Sequence, residues 1–77
     1  MKQIKNIGNV KSAKAVILAN ILLERYSIKE FVYLDKNIRY ILREDLKVSK
    51  SGLSQLFSYL VKGNILYRKD KKYCFYE

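Results

Sequence analysis

Residues 35–64 read DKNIRYILREDLKVSKSGLSQLFSYLVKGN, and the fold turns on how this stretch is parsed. Ile38, Ile41, Leu42 and Leu46, then Leu53, Leu56, Phe57 and Leu60, recur at helical spacing and predict two helices, each buried on one side. Leu46-Lys47-Val48-Ser49 joins them, with Val48 plugging the turn. Asp35 suits the N-cap of the first helix, residues 36–46, and Ser49 that of the second, residues 49–63. Gly63-Asn64 ends the second, since both residues tolerate the left-handed conformation of a C-terminal cap. The other side of the second helix carries Ser51, Ser54, Gln55, Ser58 and Lys62 at i, i+3, i+4, i+7 and i+11, one outward stripe, with Lys50 beside Ser51 in the first turn. Short hydroxyls, an amide and cations are groups that hydrogen-bond phosphate oxygens and base edges. On the first helix Lys36, Arg39 and Arg43 share a face; they suit phosphates, or else form a wet face with an arginine paired to Asp35 or Glu44.

Downstream, residues 65–69 and 72–76 alternate like strands about a turn at Asp70-Lys71. Arg68, Lys69, Lys71 and Lys72 cluster at its tip, where they can meet phosphates; edge lysines also deter strand-to-strand aggregation. Tyr59 is either a phosphate donor or a packed ring at the helix flank, and lone Cys74 is a small buried hydrophobe. Upstream, Phe31-Val32-Tyr33-Leu34 reads as a short strand, although Ser27-Ile28-Lys29-Glu30 fits a capping box that would start a helical turn. Ser12 caps a helix over residues 13–26. Val16, Ile17, Leu18, Ile21, Leu22 and Leu23 cover more of its circumference than one buried face needs, which predicts either a central strut or a homodimer through this helix. The run is too short to span a membrane, and Glu24-Arg25-Tyr26 offers no small-residue cleavage site for a signal peptide. Residues 1–10 read as a flexible basic arm, with Lys2 and Lys5 able to follow a polyanion and Ile4 and Ile7 able to dock.

The motif Leu46-Lys47-Val48-Ser49-Lys50-Ser51, with Leu53, Leu60 and the Gly63-Asn64 stop before Ile65-Leu66, resembles the turn and recognition helix of winged helix-turn-helix DNA-binding proteins. The likeness runs from about Ser12 to the last residue, with Lys47 where that family usually has a turn glycine and Gly52 where Thr or Ser often begins base contact. It implies an α+β fold: three helices, a short strand and a C-terminal two-stranded β-hairpin wing. In such a fold residues 49–63 enter the major groove with Lys50, Ser51, Ser54, Gln55, Ser58 and Lys62. Lys36, Arg39, Arg43 and Lys47 take the DNA backbone, and the wing, residues 65–76, sets Arg68, Lys69, Lys71 and Lys72 on phosphates or a minor-groove edge. Size and composition also resemble small regulators carried by viruses and plasmids of archaea.

The totals agree with a polyanionic partner. Sixteen Lys and Arg face seven acids in 77 residues, a net charge of +9 and a pI near 9.8. No acid precedes Glu24 and none lies between Leu46 and Lys69, so the positive field is lopsided. An apolar share of 49% argues for a folded globule, although a chain this short buries only roughly 60–65% of its unfolded surface, so a dimer would help. Without histidine, and with a single cysteine and scattered acids, neither a zinc site nor acid-base or nucleophilic catalysis is expected, and no cofactor. The expected protein is one cytoplasmic, DNA-associated domain without linkers, repeats, membrane contact or small-molecule ligand. It binds specific double-stranded DNA as a transcriptional regulator. Two other readings stand beside it: non-specific DNA or RNA binding with Tyr67, Tyr73 and Tyr76 stacking on bases, and a protein-interaction module.

Overall fold

The computed structural model describes Ile4 and residues 6–26 and 29–76. It is a small α+β fold of three α-helices and a three-stranded antiparallel sheet. The order is α1 (Ala13–Arg25), β1 (Val32–Tyr33), α2 (Lys36–Leu46), α3 (Lys50–Lys62), β2 (Leu66–Lys69) and β3 (Lys72–Phe75), after one 3-10 turn at Ile7–Asn9. Lys2, Lys5 and the first half of the capping box, Ser27-Ile28, lie outside the described residues.

Each α-helix starts on a side-chain cap. Ser12 Oγ accepts the Ala15 N–H at 3.3 Å, the Asp35 carboxylate accepts that of Ile38 at 2.8 Å, and Ser49 Oγ accepts that of Gly52 at 3.1 Å. These bonds satisfy donors that a helix start leaves open. The ends of α2 and α3 are likewise of one kind. The Val48 N–H reaches back to the Arg43 carbonyl at 3.1 Å, and the Ile65 N–H to that of Leu60 at 3.0 Å, each across a residue in left-handed conformation. Those residues are Lys47 (φ 55°) and Asn64 (φ 59°). Gly63 stays at φ −83°, so the left-handed turn expected of Gly63-Asn64 falls on the asparagine alone. What Gly63 supplies is space: a Cβ there would stand 2.9 Å from Ile65 Cδ1 and 3.2 Å from Val10 Cγ2.

That space admits the segment expected to be a flexible arm. Asn6 Nδ2 donates to the Asn64 carbonyl at 3.0 Å and Asn9 Nδ2 to the Gly63 carbonyl at 2.9 Å, while Ile4, Ile7 and Val10 pack half-buried on the core. The two amides satisfy carbonyls just past the end of α3, so the segment is docked by polar bonds and a modest apolar contact.

The core sits between the helices and one face of the sheet. Leu18 of α1, Leu42 of α2, Leu60 of α3, and Ile65 and Leu66 are its largest fully buried side chains, each contributing about 1.5–3 kcal/mol. Helix α1 meets its neighbours along Ala15, Leu18, Ala19 and Leu22, where the two alanines allow close approach. Its remaining apolar residues divide: Val16, Ile21 and Leu23 are half-buried, and Ile17 is 50% exposed. In α2 the buried line is Leu42 and Leu46 with Ile38 half-covered. Ile41, expected in that set, is 45% exposed, because it lies about 100° around the helix from Leu42 and beyond the narrow arc that touches the core.

The sheet order is β1-β3-β2, with Val32 opposite Tyr73 and Tyr33 opposite Lys72, and with Leu66, Tyr67, Arg68 and Lys69 opposite Phe75, Cys74, Tyr73 and Lys72. Directly opposed residues share a face. Val32, Leu66 and Phe75 therefore point to the core, with Tyr73 and Arg68 further along that face, while Tyr67, Cys74, Lys69 and Lys72 lie on the other. Among the described residues no helix is long and apolar enough to cross a membrane.

Candidate nucleic-acid interface

Helix α3 presents the outward stripe that its spacing predicts. Leu53, Leu56, Phe57 and Leu60 are buried, whereas Lys50, Ser51, Ser54, Gln55, Ser58 and Lys62 are exposed. The short α2–α3 connection and the sheet then decide what flanks this stripe.

On one flank lies an open groove of about 1020 Å³. One wall is Lys36, Asn37, Arg39, Tyr40 and Arg43 of α2, the other is Lys50, Ser54 and Ser58 of α3, and Arg68 and Tyr73 of the sheet close it. Among the described residues that line it, five are cations and Asp35 is the one carboxylate, already engaged as the α2 cap. The two arginines of α2 are held differently. Arg39 Nε donates to the Leu34 carbonyl at 3.1 Å, which fixes its guanidinium at the β1–α2 junction and leaves the terminal amino groups for other acceptors. Arg43 Nε is buried without a hydrogen-bond partner, a desolvated cationic donor. Neither arginine pairs with Asp35 or Glu44; the neighbouring Asp45 bonds Arg25 of α1 at 2.6 Å instead. Arg68 lies over the Tyr73 ring, 5.9 Å from its centroid, and Tyr73 packs on Phe57 at 4.9 Å, so a cation of the sheet is braced against α3.

The opposite flank of α3, near its C-terminus, borders a smaller hollow lined by Asn9, Val10, Lys11, Ser12, Tyr59, Lys62 and Gly63. Tyr59 is part of this flank and its hydroxyl accepts from Gln55 Nε2 at 2.8 Å, so the Gln55 amide is tethered along the helix. Lys11 and Lys62 are the cations of this side.

The structure thus brings Lys50, Ser54, Ser58, Lys36, Arg39, Arg43 and Arg68 into one groove. Ser51, Gln55 and Lys62 stand outside it on the back and far flank of α3, and Lys47 is exposed at the turn. Lys69, Lys71 and Lys72 are exposed at the hairpin tip, away from the groove lining. Tyr33, Tyr40, Asn37 and Lys11 were not among the expected site residues, and Tyr73 was expected only as a stacking ring of the non-specific reading. Tyr40, 59% exposed, falls at i+4 from Lys36 on the face already marked by the α2 cations, so a reading by spacing rather than by charge finds it. The two strand tyrosines enter through sheet pairing, which leaves no local signal.

Gly52 is explained by packing. A Cβ at this position would stand 3.3 Å from both Ser49 Oγ and Val48 Cβ, so a larger residue presses on the cap and the turn plug. Among the described residues no cluster of three or more His, Cys, Asp or Glu could hold a metal ion. No family model, curated protein or solved structure matches the chain.

Proposed function

We propose that the chain is a sequence-specific double-stranded DNA-binding protein of winged helix-turn-helix build, cytoplasmic and DNA-associated, acting as a transcriptional regulator. The observation that carries this reading is the flanking of α3: an exposed face of hydroxyls and an amide, with cations on both sides. A major groove about 12 Å wide has base edges on its floor and a phosphate chain along each rim. In the proposed complex Ser51, Ser54, Gln55 and Ser58 face the floor. One backbone runs along Lys36, Arg43, Lys50 and Arg68; Lys62 and Lys11 meet the other. The β2–β3 hairpin acts as the wing, its Lys69, Lys71 and Lys72 on phosphates further along.

A second copy on α1 belongs to the same proposal, because Ile17 there is half exposed and two-fold operators are read by dimers. The mass of the free protein and of its DNA complex tests that part. The interface itself is tested by salt titration with Lys36→Ala and Lys50→Ala, two exposed cations of the groove. Each is expected to weaken all duplexes alike and to reduce the slope of log affinity against log salt by about 0.9. Unchanged slopes would remove the groove from the interface.

A further inference from the structure

The sheet face turned away from the core carries aromatic rings that the duplex reading leaves unused. Phe31 precedes β1 and stands 42% exposed, and its ring meets that of Tyr67 edge-on, 5.7 Å between centroids at 86°. Tyr67 in turn meets Tyr76, 37% exposed, at 5.1 Å and 60°. Cys74, opposite Tyr67 in the register, is buried. Covering a cysteine accounts for rings being there, but not for two of them remaining more than a third open.

The next row along β2 and β3 is Lys69 opposite Lys72, two like charges on one face. Such a pair is destabilising without an anion. The turn between them adds to the cost. Asp70 and Lys71 take φ 52° and 66°, the conformation in which Asn-Gly or Asp-Gly is preferred, and a lysine stands where glycine would relax it. A third cation is thus held at the tip against local preference.

We propose that this outer face is a second nucleic-acid site, one that takes unpaired bases: Phe31, Tyr67 and Tyr76 as the stacking surface, Lys69 and Lys72 as phosphate contacts. A row of the sheet is about 6.7 Å from the next, a length that one extended nucleotide bridges between a stacked base and the lysine pair. Aromatic rings beside a cationic row are the combination that holds single strands, because every base has a π-face and every nucleotide a charge. A duplex cannot use the rings, since its bases are already stacked. Tyr73, on the opposite face against Phe57, takes no part, which corrects the grouping of Tyr67, Tyr73 and Tyr76 as one stacking set.

This inference shares Lys69 and Lys72 with the wing of the duplex reading but rests on the rings, and it is tested at the rings. The full chain is titrated at low salt with labelled oligothymidylate, oligouridylate and a mixed-sequence duplex. Phe31→Leu and Tyr76→Leu are each expected to weaken single-strand binding about tenfold and to leave duplex binding unchanged. Phe31→Tyr, which keeps a ring, retains single-strand affinity and guards against mistaking a folding defect for lost stacking. Lys36→Ala behaves in the opposite way, weakening the duplex more than either single strand. Binding of either strand through the rings supports the site, and the tighter one identifies the strand chemistry. The proposal is overturned if neither strand binds, if the leucine variants bind single strands as the parent does, or if Lys36→Ala abolishes single-strand binding. It also fails if the leucine variants change the protein's mass in solution, for then a second copy covers this face.

Discussion

Helices α2 and α3 stop in the same way, yet they spend different residues on the stop. Both reverse through one left-handed residue whose successor donates back into the last turn, Val48 to Arg43 and Ile65 to Leu60. At the end of α3 that residue is Asn64, a type that tolerates this conformation, and Gly63 beside it clears room for Val10. At the end of α2 it is Lys47, a long cation with no local means of compensating the crowding of its Cβ. The α3 stop thus serves packing, joined to the docked Asn6–Val10 segment by hydrogen bonds from two asparagine side chains. The α2 stop is less stable than it need be and sets a positive charge just before α3. The difference teaches that the α2–α3 turn holds a cation at some expense in stability, whereas the α3 stop does not.

Three substitutions break or sharpen this contrast. Gly63→Ala has the largest expected effect, a loss of about 1–2 kcal/mol in urea unfolding, because the added methyl lands on the fully buried Ile65 and on Val10. Faster amide exchange at Val10, whose N–H bonds the Ile7 carbonyl, should accompany it. Lys47→Gly should do the reverse, raising unfolding stability by about 1 kcal/mol. If the charge serves DNA, the same variant lowers the salt slope of duplex binding by about 0.9; a more stable protein with an unchanged slope would make Lys47 a mere imperfection of the turn. Asn64→Gly should be smallest, a change of a few tenths of a kcal/mol, because the asparagine already suits its conformation. A gain as large as that at Lys47 would erase the contrast between the two stops.

What was legible in the chain follows from how local each cause is. Ser12, Asp35 and Ser49 bond a backbone donor three residues ahead, so their helix starts could be read directly. The exposed stripe of α3 is a matter of spacing alone. Ile41 was misjudged because periodicity marks an apolar side without giving the width of the neighbour that covers it. For residues 6–10 the spacing allowed Ile7 to dock but not the polar anchors, because those are carbonyls 54 and 58 residues away. The groove was half legible. Its helical cations share a face by spacing, but Arg68 and Tyr73 arrive through the β1-β3-β2 order, and the separation of Tyr73 from Tyr67 and Tyr76 depends on strand register. The exposed carboxylates near α2 offered Arg39 and Arg43 plausible partners. The structure instead gives Asp45 to Arg25 and Arg39 to a backbone carbonyl.

The central claim is that the exposed face of α3 reads base sequence in a duplex. The most direct measurement is competition at physiological salt between a duplex selected from a random pool and its scrambled counterpart, for the parent chain and for Gln55→Ala. The account predicts a clear preference for the selected duplex, and a loss of about 1–3 kcal/mol on that duplex alone when the Gln55 amide is removed. Equal affinity of the parent chain for the selected and scrambled duplexes would contradict it.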